Sequence, residues 1–543
     1  MVFARRSTTL LAAIIASCAM VLSLTACTSD NKTVVDGQTT VTSNSAGGVA
    51  VFTPSDGITL NQQMPLNKWA KLVPDLTKAL VDAGFKKGDI NHTTSDSLDK
   101  QSRAIQDFVV DHLSNNTTDD SGIAIAPDNM TLLVAPVVEA DASTRQYGDY
   151  VSQNLSTNDV TDGEATSDGE SSEDDSSKDD SSNTESDSTA SDEQAQAVDR
   201  LVSSLKLAKE SGMHVVLLGN SIEGYKPDAF VKFSDAQTIG KLQAEKMVSK
   251  LKLDKASKDN PKYIEVLLPY TAMDEKGNAN DSTFAQEAFR GIWQVLGSYY
   301  QKGVVESPSG TLDGKSTEND WQAVAYDAAK EGSTAKVLDK RLAKTDGQST
   351  LTRIDGIITM NDYIASEVVK ELDDLGYTGS AADINPQITI SGIVGNITGK
   401  KDLSRDAVPD PIKSPENDNA NDSSSSDDDA DKDTSASDKD RDSQWPLVTG
   451  YGAYVSNIPS IVNGKQWMTG MEDRQTIATD IAQACAKLNK DEALNSMPSI
   501  RNSEVGGVKK IPTISEPLLA VSASNLKSAL IDPGYISLAD AGL

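Results

Sequence analysis

Gly169–Ser182, GESSEDDSSKDDSS, contains no apolar residue, yet apolar and patterned chain stands on both sides of it: MTLLVAPVV at 130–138 and HVVLLGNSI at 214–222. Whether this run separates two domains or interrupts one decides how the rest is read. Residues 161–190 hold eleven Asp/Glu against one Lys. A stretch with so little apolar surface cannot offset the entropy of folding, so it reads as disordered. Its flanks are a buried strand and, beyond it, the helical pattern AVDRLVSSLKLAKESG at 197–212. In a βα repeat these are one strand and its own following helix, normally joined by a few residues. Loop-closure entropy rises only slowly with length, so a long excursion that leaves and returns at one place costs little. The run therefore reads as an insertion, about residues 156–194, and not as a domain boundary.

Working outward, the same alternation continues. GGVAVFTP (47–54) is an apolar run bounded by Gly and Pro, and LNKWAKLVPDLTKALVDAGF (66–85) has helical spacing ending in Ala-Gly. Strand DINHTT and helix DKQSRAIQDFVVD precede the 130–138 strand, and FVKFSD with helix AQTIGKLQAEKMVSKL follows the 214–222 strand. Strand YIEVLLPY, helices FAQEAFRGIWQVLGSYYQKG and DWQAVAYDAAKE, strand IDGIITMND, helix YIASEVVKELDDLGY and strands QITISGIV (387–394) and WPLVTGYG (445–452) complete the series. Strands apolar throughout, alternating with helices, predict parallel sheets covered on both faces. Their number exceeds one ordinary sheet, so the expected fold is α/β with two doubly wound Rossmann-like lobes. A second acidic run, SPENDNANDSSSSDDDADKDTSASDKDRDSQ (414–444), falls between two of the later strands and reads as another loop insertion, about 402–443.

The two acidic stretches 161–190 and 421–442 supply sixteen of the thirty-one net negative charges. The remainder is ordinarily acidic, and no basic patch or aromatic-basic motif points to nucleic acid. The beginning, MVFARRSTTLLAAIIASCAMVLSLTACTSD, has a basic start, an apolar core and small residues before Cys27, which marks a secretory signal over 1–26. Leu24-Thr25-Ala26-Cys27 looks like a bacterial lipobox, with Cys27 diacylated as the mature N-terminus. A plain signal peptide with an incidental Cys, or an uncleaved anchor, are the alternatives. Residues 27–47 then read as the lipidated Cys and a polar tether. Cys18 leaves with the signal, and Cys485 stands alone in a helical pattern as a small buried residue, so no disulfide framework is expected.

Four segments carry a resemblance to a known family. KWAKLVPDLTKALVDAGF (68–85), VKFSDAQTIGKLQAEKMV (231–248), SIVNGKQWMTGMEDRQTIA (460–478) and KKIPTISEPLLAVSASNLKSALIDPGYIS (509–537), in that order, resemble the substrate-binding lipoproteins of ABC sugar importers. The likeness is to the xylose and multiple-sugar branch of the type I periplasmic-binding fold. It implies lobe 1 at 48–232, lobe 2 at 233–470, a return to lobe 1 at 471–510 and a crossing segment at 511–543. Two lobes would close about a hinge of crossing strands on a small polar ligand, most naturally a sugar, and present it to permease subunits in the membrane. The protein would then act at the extracytoplasmic face.

The resemblance also points to ligand residues. Trp69 stands where the family has its stacking Trp; the alternative is an exposed aromatic at a helix start, packing on its own loop. Lys68 stands where the family has Arg, which replaces a rigid multi-donor fork by a point charge. Trp321 matches a family Trp, with core packing as the alternative. Asn361 and Asp362 end a strand and open a helix, so they are either ligand residues or helix caps. Asn220, within Gly219-Asn220-Ser221, replaces the family's Tyr-Asp-Arg, and Gly450-Tyr451-Gly452-Ala453-Tyr454 replaces Gly-Gln-Asp-Ala-Glu, leaving Tyr451 and Tyr454 to stack or donate. The longer loop at 53–69 brings Asp56 or Gln62 to the cleft. The expected scaffold is kept with its specificity residues changed, so an oligosaccharide, a modified sugar or a non-sugar is open. His92, His112 and His214 form no metal-ligand spacing, and no nucleophile elbow, phosphate loop or complete calcium loop is present, so neither catalysis nor a cofactor is expected. A sensor for a membrane signalling partner and an adhesive surface lipoprotein are the rival readings.

Overall fold

The computed structural model describes residues 33–35, 38–40, 46–55, 65–115, 125–138, 145–156, 185–273, 281–343, 350–382 and 444–543. The signal, Cys27, Asp56, Gln62, the second acidic insertion, the strand expected at 387–394 and residues 157–184 of the first insertion lie outside them. Near the N-terminus, Thr33–Val35 and Gln38–Thr40 pair as a small antiparallel hairpin, where the sequence reads only as tether. Asp36-Gly37 stands between these β-branched segments, a dipeptide strongly preferred in two-residue hairpin turns. Everything from Ser45 onward belongs to a separate unit.

That unit opens with β1 (Gly48–Pro54), α1 (Trp69–Asp82), β2 (Ile90–Ser95), α2 (Leu98–Asn115), β3 (Met130–Val134), α3 (Glu185–Glu210), β4 (His214–Leu218) and β5 (Ala229–Lys232). The chain continues through α4 (Ala236–Leu251), β6 (Lys262–Val266), α5 (Thr283–Gln301), β7 (Val305–Glu306), α6 (Trp321–Val324), α7 (Ser333–Arg341), β8 (Gly356–Ile358), α8 (Asp362–Leu375) and β9 (Leu447–Thr449). It closes with β10 (Met468–Met471), α9 (Arg474–Leu488), β11 (Ile500–Val505), β12 (Val508–Ser515) and β13 (Leu519–Ser522).

Two sheets result. The first has the order β11-β12-β5-β4-β3-β1-β2 and the second β7-β6-β8-β9; every neighbouring pair is parallel except the β11–β12 hairpin. The pleat sends alternate side chains to opposite faces. In the first sheet Val49, Val51, Val216 and Leu218 meet α1 and α9, while Ala50, Phe52, Val215 and Leu217 meet α2 and α3. In the second, Ile264, Val266 and Ile358 meet α4 and α5, and Ile357 and Val448 meet α7 and α8. Both sheets are thus covered on both faces at their centres, which is why the central strands read as unbroken apolar runs, whereas the edge strand β2 and the β11–β12 hairpin are largely exposed.

In each sheet the first strand of the repeat lies between its successors, β1 between β2 and β3 and β6 between β7 and β8. Those are topological switch points, and a crevice opens there beyond the carboxyl ends of the strands. The chain passes between the sheets at Lys232–Ala236, again around β10, and once more after β12. The passage strands β10 and β13 pair antiparallel. Asn489, just past α9, bonds the amino-terminal strand: its amide donates to the carbonyls of Ala46 (3.0 Å) and Gly48 (3.1 Å) and accepts from Thr131 Oγ1 (2.6 Å).

α3 differs from expectation. It starts at Glu185 and so takes in residues that the sequence assigns to the insertion.

Candidate functional site

Between β3 and α3 the chain describes a strap, residues 145–155, that sequence reasoning left without a role. It begins with a single turn, Arg145–Tyr147. Tyr147 is 1% exposed; its ring lies 4.7 Å from Phe284 at the start of α5 and 6.3 Å from Tyr451 beyond β9, both on the second lobe. Gly148 has φ +96°, and a Cβ there would stand 2.5 Å from the Asn67 carbonyl oxygen, so only glycine fits. Asp149 then turns to the first lobe. Its carboxylate accepts from Lys68 Nζ (2.7 Å) and from the Trp69 backbone N–H (3.1 Å), one of the donors that the start of α1 leaves without a helical partner. Tyr150 stacks on Phe233, with ring centroids 4.8 Å apart, and its hydroxyl donates to the Lys68 carbonyl (2.5 Å).

The sequence-selected residues divide around this strap. Lys68 is paired with Asp149. Trp69 is 2% exposed, set edge-on against Tyr150 (5.1 Å) and Phe233 (5.7 Å), so it is buried between distant parts of the chain and not exposed on its own loop. Asn220 accepts from the Gln153 N–H (3.0 Å) and donates to the Pro136 carbonyl (2.9 Å). Asn361 does two things: its Oδ1 caps α8 by accepting from Ile364 N–H (2.9 Å), and its Nδ2 donates to Gln146 Oε1 (3.0 Å). Tyr454 donates to the Gln146 carbonyl (2.7 Å).

Asp362 and Tyr451 face inward. Asp362 accepts from Gln466 Nε2 (2.7 Å), Thr469 Oγ1 (2.8 Å) and Tyr454 N–H (2.9 Å). Burial pushes its carboxyl up to about 6, with these hydrogen bonds pulling the other way. Gly450 is required beside it, since a Cβ would come within 2.1 Å of Asp362 Oδ1. Tyr451 shares a 2.5 Å hydrogen bond with Ser234 and donates to Glu472 (3.3 Å), which also accepts from Ser234 N–H (2.7 Å). Ser234 and Glu472 lie on two of the passages between the sheets. Burial raises the Glu472 carboxyl to about 7, against the opposing pull of Ser234 and Tyr451.

Trp321 goes elsewhere. It lines a depression of about 460 Å³ with Tyr270, Met273, Gln322, Tyr326 and Asp327, at the carboxyl end of β6 as extended by Leu268–Pro269. Tyr270 and Trp321 stand edge to face at 5.1 Å. The short helix α6 that carries Trp321 is pinned from below: Arg341 donates to the carbonyls of Val324 (2.8 Å) and Val266, and its charge lies beside the buried Glu265. Asp327 accepts from Thr271 Oγ1 (3.1 Å) and lies 3.6 Å from Lys330 Nζ. Trp321 is itself 9% exposed and part of the second lobe's core cluster, as the packing alternative has it, so the depression offers the half-buried Tyr270 ring and the outer edge of the indole, with a carboxylate, an amide and an ammonium around them.

The histidines stay apart. His92 bonds Thr53 Oγ1 (2.9 Å), His112 stacks on Phe108 and His214 bonds the Asp128 carbonyl (3.2 Å). Among the described residues no group of three or more His, Cys, Asp or Glu is arranged to hold a metal ion. Cys485 is buried in the first lobe's core, which raises its thiol pKa. Among the described residues no helix is long and apolar enough to cross a membrane.

These features define a class: a two-lobed α/β protein with crossover-linked parallel sheets and polar and aromatic residues gathered at their carboxyl ends. No family model matches the chain, nor does any curated protein. Among solved structures it is similar to an ABC transporter solute-binding protein from Clostridium phytofermentans with bound β-D-glucose, at 17% identity over 91% of this chain and 99% of that one, with TM-score 0.44. It is also similar to a carbohydrate transporter solute-binding protein from Chloroflexus aurantiacus in complex with D-glucose, at 17% identity over 92% and 98% of the two chains, with TM-score 0.43. A third is an arabinose-binding protein from Geobacillus stearothermophilus, at 9% identity over 89% and 99%, with TM-score 0.41.

Proposed function

We propose that the chain is an extracytoplasmic solute-binding protein that captures a small polar ligand, a sugar, and delivers it to the permease of an ABC importer, held to the membrane by lipid on Cys27. The observation that carries the ligand class is the Tyr270–Trp321 depression beside the second sheet's switch point. A pyranose presents an apolar face and a rim of hydroxyls. Ring surfaces suit the first, and Gln322, Asp327 and Lys330 supply acceptors and donors for the second. Lys68, Trp69, Asn220, Asn361, Asp362 and Tyr451 line or brace the seam between the lobes that such a ligand would help to close. Delivery and lipid attachment rest on the resemblance in the sequence and on the lipobox-like Leu24–Cys27.

A ligand that binds only the folded chain raises its melting temperature by mass action. D-glucose, D-ribose, L-arabinose and maltose at millimolar concentration are the probes. A rise with one of them that disappears in Trp321→Ala supports the reading. Absence of a rise with every sugar removes the carbohydrate assignment, and a rise unchanged in Trp321→Ala removes this depression as the site.

A further inference from the structure

Five of the seam's sequence-selected residues contact one short piece of this same chain. Lys68 pairs with Asp149, Trp69 packs on Tyr150, Asn220 accepts from Gln153, Asn361 donates to Gln146, and the Tyr451 ring neighbours Tyr147. They come from both lobes, and each is a residue type that would grip or stack a polar ligand. We propose that Gln146–Gln153 is a built-in occupant of the interlobe seam, making from within the contacts that a captured ligand would make from outside. The inference rests on the ligand-capture reading for its meaning, although the strap itself is described by contacts alone.

The geometry supports an occupant over an ordinary loop. An ordinary strand-to-helix connection runs over its own lobe's surface. This one leaves the first lobe, buries Tyr147 in the second lobe's core cluster, and returns through Gly148 to bond Asn67 and Lys68. The Asp149 backbone N–H donates to the Asn67 carbonyl (2.8 Å) and the Ser152 N–H to the Ser234 carbonyl (3.2 Å), so the strap is also sewn to one passage between the lobes. Two consequences follow. The lobes are held together without any captured ligand, and a ligand entering the seam must displace the strap. Its apparent affinity is then reduced by the fraction of molecules whose seam is vacant.

Hydrogen–deuterium exchange of the full chain, with no sugar present, tests the first consequence. In Tyr147→Ala the backbone amides of Trp69, Asp149 and Ser152 exchange about tenfold faster or more, while β3, β4 and β8 keep their protection, because opening is local. Gly148→Ala is the second variant: it leaves Tyr147 in place and dislodges the strap by strain alone, so it serves if Tyr147→Ala does not fold. Unchanged exchange at the seam in the variant that folds overturns the proposal. Sugar-induced melting shifts on the same proteins test the second consequence. For a sugar whose shift survives Trp321→Ala, and which therefore binds in the seam, a half-effect concentration lowered about tenfold in the variants supports displacement, and one unchanged while the seam has loosened overturns the occupant role. No response to any of the four sugars in any form, with the seam loosened, overturns the carbohydrate reading and leaves the strap standing.

Discussion

The seam between the lobes and the depression at Trp321 are built from the same materials, aromatic rings with amides, carboxylates and a lysine, and they end in opposite states. In the seam Trp69, Tyr150 and Phe233 pack on one another and Tyr147 on Phe284 and Tyr451, and the polar groups of Lys68, Asn220 and Asn361 are bonded to the strap. In the depression Tyr270 is only partly buried beside Trp321, and Gln322 and Lys330 are exposed. Residue type therefore states what a site can bind, and only packing states whether the chain has already bound it.

The largest test of that contrast is Trp69→Ala. If the seam is interior, removing an indole wedged against two rings costs about 3–5 kcal/mol, the usual range for a buried large aromatic. Denaturant unfolding measures it, and a loss below about 1 kcal/mol would class Trp69 with surface aromatics and break the comparison.

Next in size is the pH dependence of the hinge. Burial lifts Glu472 from its ordinary 4.5 to about 7 and Asp362 from 3.8 to about 6. Between the ordinary and raised values the folded chain keeps a proton that the unfolded chain has released. Stability therefore falls as pH rises through that window, from about 4 to about 7, and levels above it. For Glu472 the full effect is about 3 kcal/mol. Glu472→Gln retains an acceptor for the Ser234 N–H and loses the titration, so its stability profile is flatter over pH 4.5–7. An identical slope in wild type and variant would show that the carboxyl is solvated and the passage region open.

The smallest expected change in stability belongs to the depression. Gln322→Ala alters an exposed side chain, and its unfolding free energy stays within about 0.5 kcal/mol of wild type. The sugar-induced melting shift is what falls. A variant that loses stability but keeps its sugar response would reverse the roles assigned to the two regions.

The βα rhythm was legible because each central strand is apolar on both faces and each helix keeps its own spacing; the short β7 and the polar β11–β12 hairpin carry no such pattern and were not read. The position of the first acidic run, between β3 and α3, was legible for the same reason. The start of α3 was not, because Ser, Thr and Asp within Glu185–Gln194 favour turns by local propensity and help a helix only at its amino-terminal end. At the site, the resemblance selected Lys68, Trp69, Asn220, Trp321, Asn361, Asp362 and Tyr451; the structure brings five of them to one seam, puts Trp321 in the depression and turns Asp362 inward. It could not show that RQYGDYVSQ (145–153) reaches them, since contacts across 80 to more than 300 residues leave no local spacing. The available signal was two tyrosines flanking Gly-Asp in a loop otherwise turning acidic. That Asp362 turns inward was not legible for the same kind of reason: its partners Gln466 and Thr469 lie 104 and 107 residues on.

Asn489 carries one more consequence. Its amide closes over the carbonyls of Ala46 and Gly48, 443 and 441 residues earlier, and β12 completes the sheet that β1 begins. A chain delivered amino-terminus first thus emerges with its first lobe missing a helix and two strands, and must wait for nearly its whole length before that lobe can be finished. Such distant pairing is slow to form. The waiting half-lobe, with the apolar face of α1 uncovered until α9 arrives, is the stage at which chaperones have most to protect.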